Sequence, residues 1–529
     1  MSRSGIFRRC TVLSALLIAA IPTALPAQLG SGWVPPPAEL IPLGTTRGQS
    51  YGRLVIRNVT IVDGRGSPRA NRGMPAQGPI DLVIENGIIT DLRNVDPVVA
   101  RERATGDHVI DAAGMYAIPG LVEMHAHLLS GSRLEYQYRL YLGHGVTTVR
   151  DAGTAGGLDV MGEQQRRAAL NEIVAPRLIL CQRWPLPLRR WDVGHTPEDA
   201  RRLVREMKRL GADCVKISRS PGHYPDVMEA AADEAAKVGM HVMTDLKVSE
   251  SDAVVASNAG VRSVEHWYGV PDAALPHTQN FPADYNYWDE LSRFRWAGAL
   301  WKEADRYPER LTAALHTMID NGTTWDPTMV VYESMRDRWR SRTAPWHETL
   351  SLSTYEDRLP NPAEHGAYAS EWKTSDEIMW RENFHLWMKW IRTFHEMGGT
   401  LTVGSDQDVG GIGVIRELEL LQEAGIHPID VVRIATTNAT RTLGMERHCG
   451  IRVGCVADIA IINGNPLDNF KVMYGRGYGF YGMVPRAELG NHGGVKWTIK
   501  EGVVFDAQAL LREVEWLVQQ ELRRGATDR

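Results

Sequence analysis

The sequence is short of several things, and each shortage narrows the reading. It has five cysteines and no Cys-x-x-Cys pair, which argues against a thiolate zinc site. It has no block of basic residues and a net charge of −5, so a nucleic-acid partner is set aside. Beyond the N-terminus it has no apolar run approaching a membrane span, and no internal repeat. What it has is ordinary globular composition, 43% hydrophobic and 23% charged, so general disorder is excluded. A length of 529 residues implies two or three units at roughly 100–200 residues each.

The first residues read as a targeting segment. Arg3, Arg8 and Arg9 precede an apolar stretch from Thr11 to Ile21, and Leu25-Pro26-Ala27 offers a small residue before Gln28. The rival is an uncleaved anchor, but the apolar run is too short to cross about 30 Å of hydrocarbon. Residues 1–27 are therefore expected to be a signal peptide, and the protein secreted or periplasmic. Cleavage would remove three arginines and no acid, leaving a more acidic chain. Cys181, Cys214, Cys449 and Cys455 would remain. Export permits disulfides; Cys449 and Cys455 flank a turn and could pair, whereas the plainer reading leaves all four as thiols.

Residues 28–51 are rich in proline and glycine and read as an irregular arm. From Leu54 short strand-like runs follow, among them a hairpin turning at Asn86-Gly87. Between Ala117 and Gly444 short apolar strands alternate with amphipathic helices, such as Pro197 to Leu210 with Thr196 as N-cap, and Tyr224 to Val238. That alternation predicts a parallel sheet, and its length suits a complete eight-stranded barrel. After the barrel β texture returns, as in Ala457 to Ile462. The expected fold is α/β: a (β/α)₈ TIM barrel over 116–444, with a small discontinuous β-sandwich domain from both flanks, 52–115 and 445–515. A Trp-rich insert, about 269–395, interrupts the barrel; Trp267 to Trp390 holds 11 of the 16 tryptophans.

His125-Ala126-His127 ends a strand-like run beginning at Tyr116. Residues i and i+2 on a strand face the same way, which gives a divalent cation two nitrogen ligands. Lys216, Asp245, His266 and Asp406 also lie at or next to expected strand ends. Each has a plainer reading: ion-pair partner for Lys216, core histidine for His266, helix N-cap for Asp406. Six such residues at the ends of barrel strands, where barrel enzymes keep their chemistry, make those readings hard to sustain together.

The run from Ala117 to His127 resembles the opening signature of the amidohydrolase superfamily. So do Gly145 to Asp151, Val264-Glu265-His266, Gly404-Ser405-Asp406 and the closing Gly454 to Ala460. The branch most resembled holds imidazolonepropionase-like and prolidase-like enzymes, and the resemblance covers roughly 52–268 and 396–510. It implies His125, His127 and Asp406 on a first metal, carboxylated Lys216 bridging to a second, and His266 on that second metal. The metals implied are two Zn, with Mn as an alternative. The usual partner of His266 is a histidine ending the preceding strand; the match here falls on Asp245, while His241 sits at the strand's start. Two metals with Asp245 as ligand, one metal, or a site without catalysis all stay open.

The implied reaction is hydrolysis of an amide by metal-activated water, with Asp406 as the catalytic proton carrier. His223, Tyr224 and Lys247 are candidates for holding a substrate carboxylate or carbonyl, which would suit a dipeptide or N-acyl amino acid. A small-molecule amidase, a cyclic-amide or lactone hydrolase, and a silent binding protein are the alternatives. The expected partner is a small-molecule substrate; a homo-oligomer is left open. The tryptophans read equally as an aromatic lid and as an accessory core.

Overall fold

Strand-forming residues and a tight turn build the first unit. β1 (Arg53–Ile61) pairs antiparallel with β2 (Gln77–Glu85), which turns into β3 (Ile88–Asn94). The turn is the expected Asn86-Gly87, with φ of 49° and 76°, the positive values a two-residue hairpin needs. A Cβ on Gly87 would come within 2.6 Å of the Glu501 carbonyl oxygen. The computed structural model describes residues 40–67, 76–95, 103–128, 133–154, 156–184, 194–247, 250–275, 285–286, 290–336, 350–352, 373–407, 409–475 and 493–527. The expected signal peptide and the arm up to residue 39 lie outside them. Of the arm's remainder, the Gly44 and Thr46 amides donate to the Glu513 carboxylate, and Gln49 bridges Val504.

Both flanks contribute to one mixed sheet. β4 (His108–Asp111) and β5 (Tyr116–Pro119) share one edge of β1. β5 then pairs with β13 (Ile459–Ile462), followed by β14 (Val495–Lys500) and β15 (Val503–Asp506). Leu54, Ile56, Leu82 and Ile84 from the first flank share a core with Ile459, Ile461 and Ile499 from the second.

The second sheet is the parallel barrel: β6 (Leu121–Ala126), β7 (Val146–Asp151), β8 (Arg177–Arg183), β9 (Cys214–Ile217), β10 (His241–Asp245), β11 (Ser263–Glu265) and β12 (Thr324–Asp326), in sequence order. Residues 400–405 take the eighth position. Trp325 N donates to Thr400 O (2.9 Å) and Met124 N to Val403 O (2.8 Å), joining β12 to β6 through this segment. The helices follow their patterns: Pro197–Arg209 starts where Thr196 accepts from Asp199 N, and Pro225–Lys237 spans the second expected helix.

Two expectations change. The stretch read as an insert contains β12 and the helix Pro308–Asp320, so part of it is barrel; a three-residue strand shows no periodicity from which to recognise it. And none of the four cysteines among the described residues is a free thiol: Cys181 pairs with Cys214, and Cys449 with Cys455. The helix Thr374–Glu396 buries Trp380, Phe384, Trp387, Ile391 and Phe394 along one stripe, each worth roughly 1.5–3 kcal/mol relative to exposure. No helix among the described residues is long and apolar enough to cross a membrane.

Candidate active site

β6 ends at the barrel mouth with His125 and, two residues on, His127. Asp406, just past the eighth strand position, faces both: its Oδ1 lies 3.2 Å from His127 Nε2 and 4.0 Å from His125 Nε2. One ligand atom from each of the three lies within 4.8 Å of the others. The approach is close because Gly404 has no side chain; a Cβ there would stand 2.5 Å from His125 Cβ and 2.7 Å from Asp326 Oδ1. His266 follows β11, its ring 4.7 Å from that of His125, and its Nδ1 is 2.6 Å from Thr328 Oγ1. His266, Thr328 and Asp406 all have positive φ, 65°, 49° and 50°. Such backbone costs of order 1–3 kcal/mol per residue and is held only where its surroundings enforce it.

A buried polar network fixes this side. Glu265 Oε2 lies 2.7 Å from His125 Nδ1 and also accepts from Arg150. With Nδ1 bonded, Nε2 is left to face a cation. Glu123 accepts from the amides of His125 and Ser405 and from the Ser405 hydroxyl. Arg150 further donates to Met124 O and Ser263 Oγ, and stands 3.6 Å from Asp326. Burial, reinforced by nearby Lys216, pushes the His125 pKa well below its ordinary value. Burial does the same to His266, reinforced by His125. Both shifts favour the neutral imidazole, the form that ligates.

The opposite side is differently made. Lys216 Nζ, wholly buried on β9, stands 3.8 Å from Asp245 Oδ2, while Lys247 Nζ is 3.0 Å from the same oxygen. Burial alone would raise the Asp245 pKa, but the Lys247 and Lys216 cations outweigh it and hold the carboxyl at about 2. Lys216 is lowered by its own burial, against the pull of Asp245. Neither Lys216 Nζ nor Asp245 Oδ1 makes a hydrogen bond among the described residues. His223 is buried and reaches the backbone of Asp245, and burial lowers its pKa to about 4. Tyr224 is 38% exposed and begins the next helix; no described contact brings it to the cluster. His241 sits at the far end of β10, as expected.

Sequence reasoning missed Glu265, Arg150, Glu123, Asp326 and Thr328, although Glu265 stood inside the quoted Val-Glu-His run. It also missed the wall beside His266. Tyr268 and Tyr332 approach that ring at 6.0 and 5.8 Å, and Arg293 Nε donates to the Tyr268 hydroxyl at 3.0 Å. Behind them Trp267, Phe294, Trp380 and Trp387 stack into a buried cluster. These described tryptophans are core, with tyrosines between them and the site.

The donor set suits a divalent cation: convergent imidazole nitrogens, a carboxylate, and an orphaned buried amine beside an orphaned carboxylate oxygen. Fold and site together define a barrel protein with a candidate cation site at its mouth. The chain belongs to the amidohydrolase family, whose pattern matches residues 116–281 and 388–504; that family is generally metal-dependent and acts on small-molecule substrates. A dihydroorotase of Trichlorobacter lovleyi is 26% identical over 199 residues, 36% of this chain and 44% of that relative. The match thus spans less than half of the relative's length. Among solved structures, a Xaa-Pro dipeptidase with methionine in its active site superposes with a TM-score of 0.56 at 18% identity, covering 86% of this chain and 100% of that one. A bottromycin amidohydrolase gives 0.58 at 21%, covering 90% and 92%. Both likenesses establish the fold.

Proposed function

We propose that the protein hydrolyses a carbon–nitrogen bond in a small molecule carrying an amide, of the dipeptide or N-acyl amino acid type. The observation that carries this is the placement of Asp406 against both His127 and His125. Those three would hold one cation; His266, Asp245 and a carboxylated Lys216 would hold a second, zinc or manganese, with the carbamate reaching both. A bound divalent cation supplies Lewis acidity, making water nucleophilic near neutral pH and polarising a carbonyl. Within the chain, Asp406 takes the proton from the attacking water and returns it to the leaving nitrogen. Glu265 keeps His125 in one tautomer, and the aromatic wall with Tyr268 and Tyr332 excludes bulk water.

The reading is supported by the kinds of relative the chain resembles, a dihydroorotase and an Xaa-Pro dipeptidase. Export to an oxidising compartment is part of the proposal. It is supported by the basic, apolar and small-residue order of residues 1–27 and by two disulfides.

The test is elemental analysis of protein purified without a metal-binding tag, followed by a panel of dipeptides, N-acyl amino acids and cyclic amides. Two cations per chain with turnover of a linear amide is expected. One cation per chain removes the second site. No cation and no turnover, even after incubation with metal and bicarbonate, overturns the hydrolase reading.

A further inference from the structure

Beneath the catalytic layer the barrel lumen holds a second cluster that the proposed reaction does not use. Cys181 stands in register with Cys214, and Cys214 with His241, on three neighbouring parallel strands. In-register residues point the same way, and Cys214, two residues before Lys216, shares its face. The trio therefore lines the lumen one pleat, about 7 Å, below Lys216. Both cysteines are fully buried and joined as a disulfide, Cα to Cα 4.3 Å, with Ala152 and Met243 packed around them. His241 Nε2 is buried and makes no hydrogen bond among the described residues. Both sulfurs and a ring nitrogen of His241 lie within 4.8 Å of one another.

A disulfide has no proton to donate, so in the oxidised form neither sulfur can donate to that nitrogen. Burial, with Arg150 and Arg262 nearby, holds the imidazole neutral down to about 3, leaving a lone pair available. His241 as a residue is half-buried and starts its strand, at the end of the barrel opposite the mouth.

We propose that Cys181 and Cys214 in their dithiol form, together with His241, bind one thiophilic d10 cation of the zinc class, so that the barrel floor alternates between disulfide and metal thiolate. A dithiol reductant supplies the two electrons and two protons that open the Cys181–Cys214 bond, its own sulfurs closing to a disulfide. The cation then displaces both thiol protons to solvent, with no change of oxidation state. Two thiolates and one imidazole leave one tetrahedral position for water. The assignment stands whether or not the mouth hydrolyses amides.

The experiment uses the full chain in a Cys449→Ser/Cys455→Ser background, stripped of metal and titrated with cobalt(II) before and after dithiol reduction and desalting. Reduction is expected to add one cobalt per chain and an intense near-ultraviolet sulfur-to-cobalt band, which zinc then abolishes. Cys181→Ser should lose the band; His241→Phe should keep it with affinity at least tenfold weaker. Should Cys181→Ser not fold, the reduced background protein still decides the matter, because zinc should shield two thiols from a chromogenic disulfide reagent. A disulfide that resists reduction in the folded chain, reduced protein that takes no extra cobalt, or zinc that shields no thiol would each overturn the proposal.

Discussion

The two halves of the barrel mouth are built to different standards. On the β6 side the two rings and Glu123 are held, His125 by Glu265, His266 by Thr328, and Glu123 by Ser405 and the His125 amide. Asp326 there has Arg150 at 3.6 Å and makes no hydrogen bond among the described residues. On the β9–β10 side Lys216 Nζ, Asp245 Oδ1 and His223 Nε2 are buried without hydrogen bonds among the described residues. Buried polar groups are ordinarily satisfied, and one left alone costs about 1–3 kcal/mol. The first half, Asp326 apart, is complete as protein. The second acquires its partners only when something is added, which is what a carbamate on Lys216 and a second cation would supply.

Breaking the complete half should have the largest effect. Asp406→Asn removes the proposed proton carrier and one proposed anionic ligand while preserving shape, and turnover should fall by at least about 10²–10⁴-fold with thermal unfolding little changed; retained activity would take Asp406 out of the mechanism. Next is the incomplete half. Lys216→Met should reduce bound metal from the proposed two cations to one, read by elemental analysis, and abolish any mass increment of a carbamate after bicarbonate treatment. Two cations retained in that variant would erase the distinction between the halves. Glu265→Gln returns to the complete half through an orienting residue, and metal affinity should weaken by about 10–100-fold, measured by competition with a chelating dye.

Legibility in the sequence follows the same division. The barrel was readable because strands and helices alternate with clear periods, and the ligand candidates because they recur next to strand ends. Arg150, Glu265 and Asp326 were not readable as interior, since a charged residue on a short strand has the same appearance whether it faces lumen or solvent. The Cys181–Cys214 pair was hidden because its partners are 33 residues apart and meet only through the β8–β9 register. The tryptophans allowed two readings until their packing was seen: Trp267, Trp380 and Trp387 are core, and Tyr268 and Tyr332 stand nearest His266.

The smallest effect should come from Lys247, and it sharpens the comparison most finely. Sequence placed it as a grip for a substrate carboxylate; the structure sets its ammonium 3.0 Å from Asp245 with the side chain 27% exposed. A substrate carboxylate would have to compete with a carboxylate already in place. A partly exposed pair of this kind contributes roughly 0.2–1 kcal/mol, about a fivefold effect at most. Lys247→Met should therefore change KM by no more than that, and equally for carboxylated and amidated forms of one substrate, while loosening the second cation. If KM rises for the carboxylated form alone and metal content is unchanged, Lys247 serves the substrate, and Asp245 must be balanced by Lys216 or by metal instead.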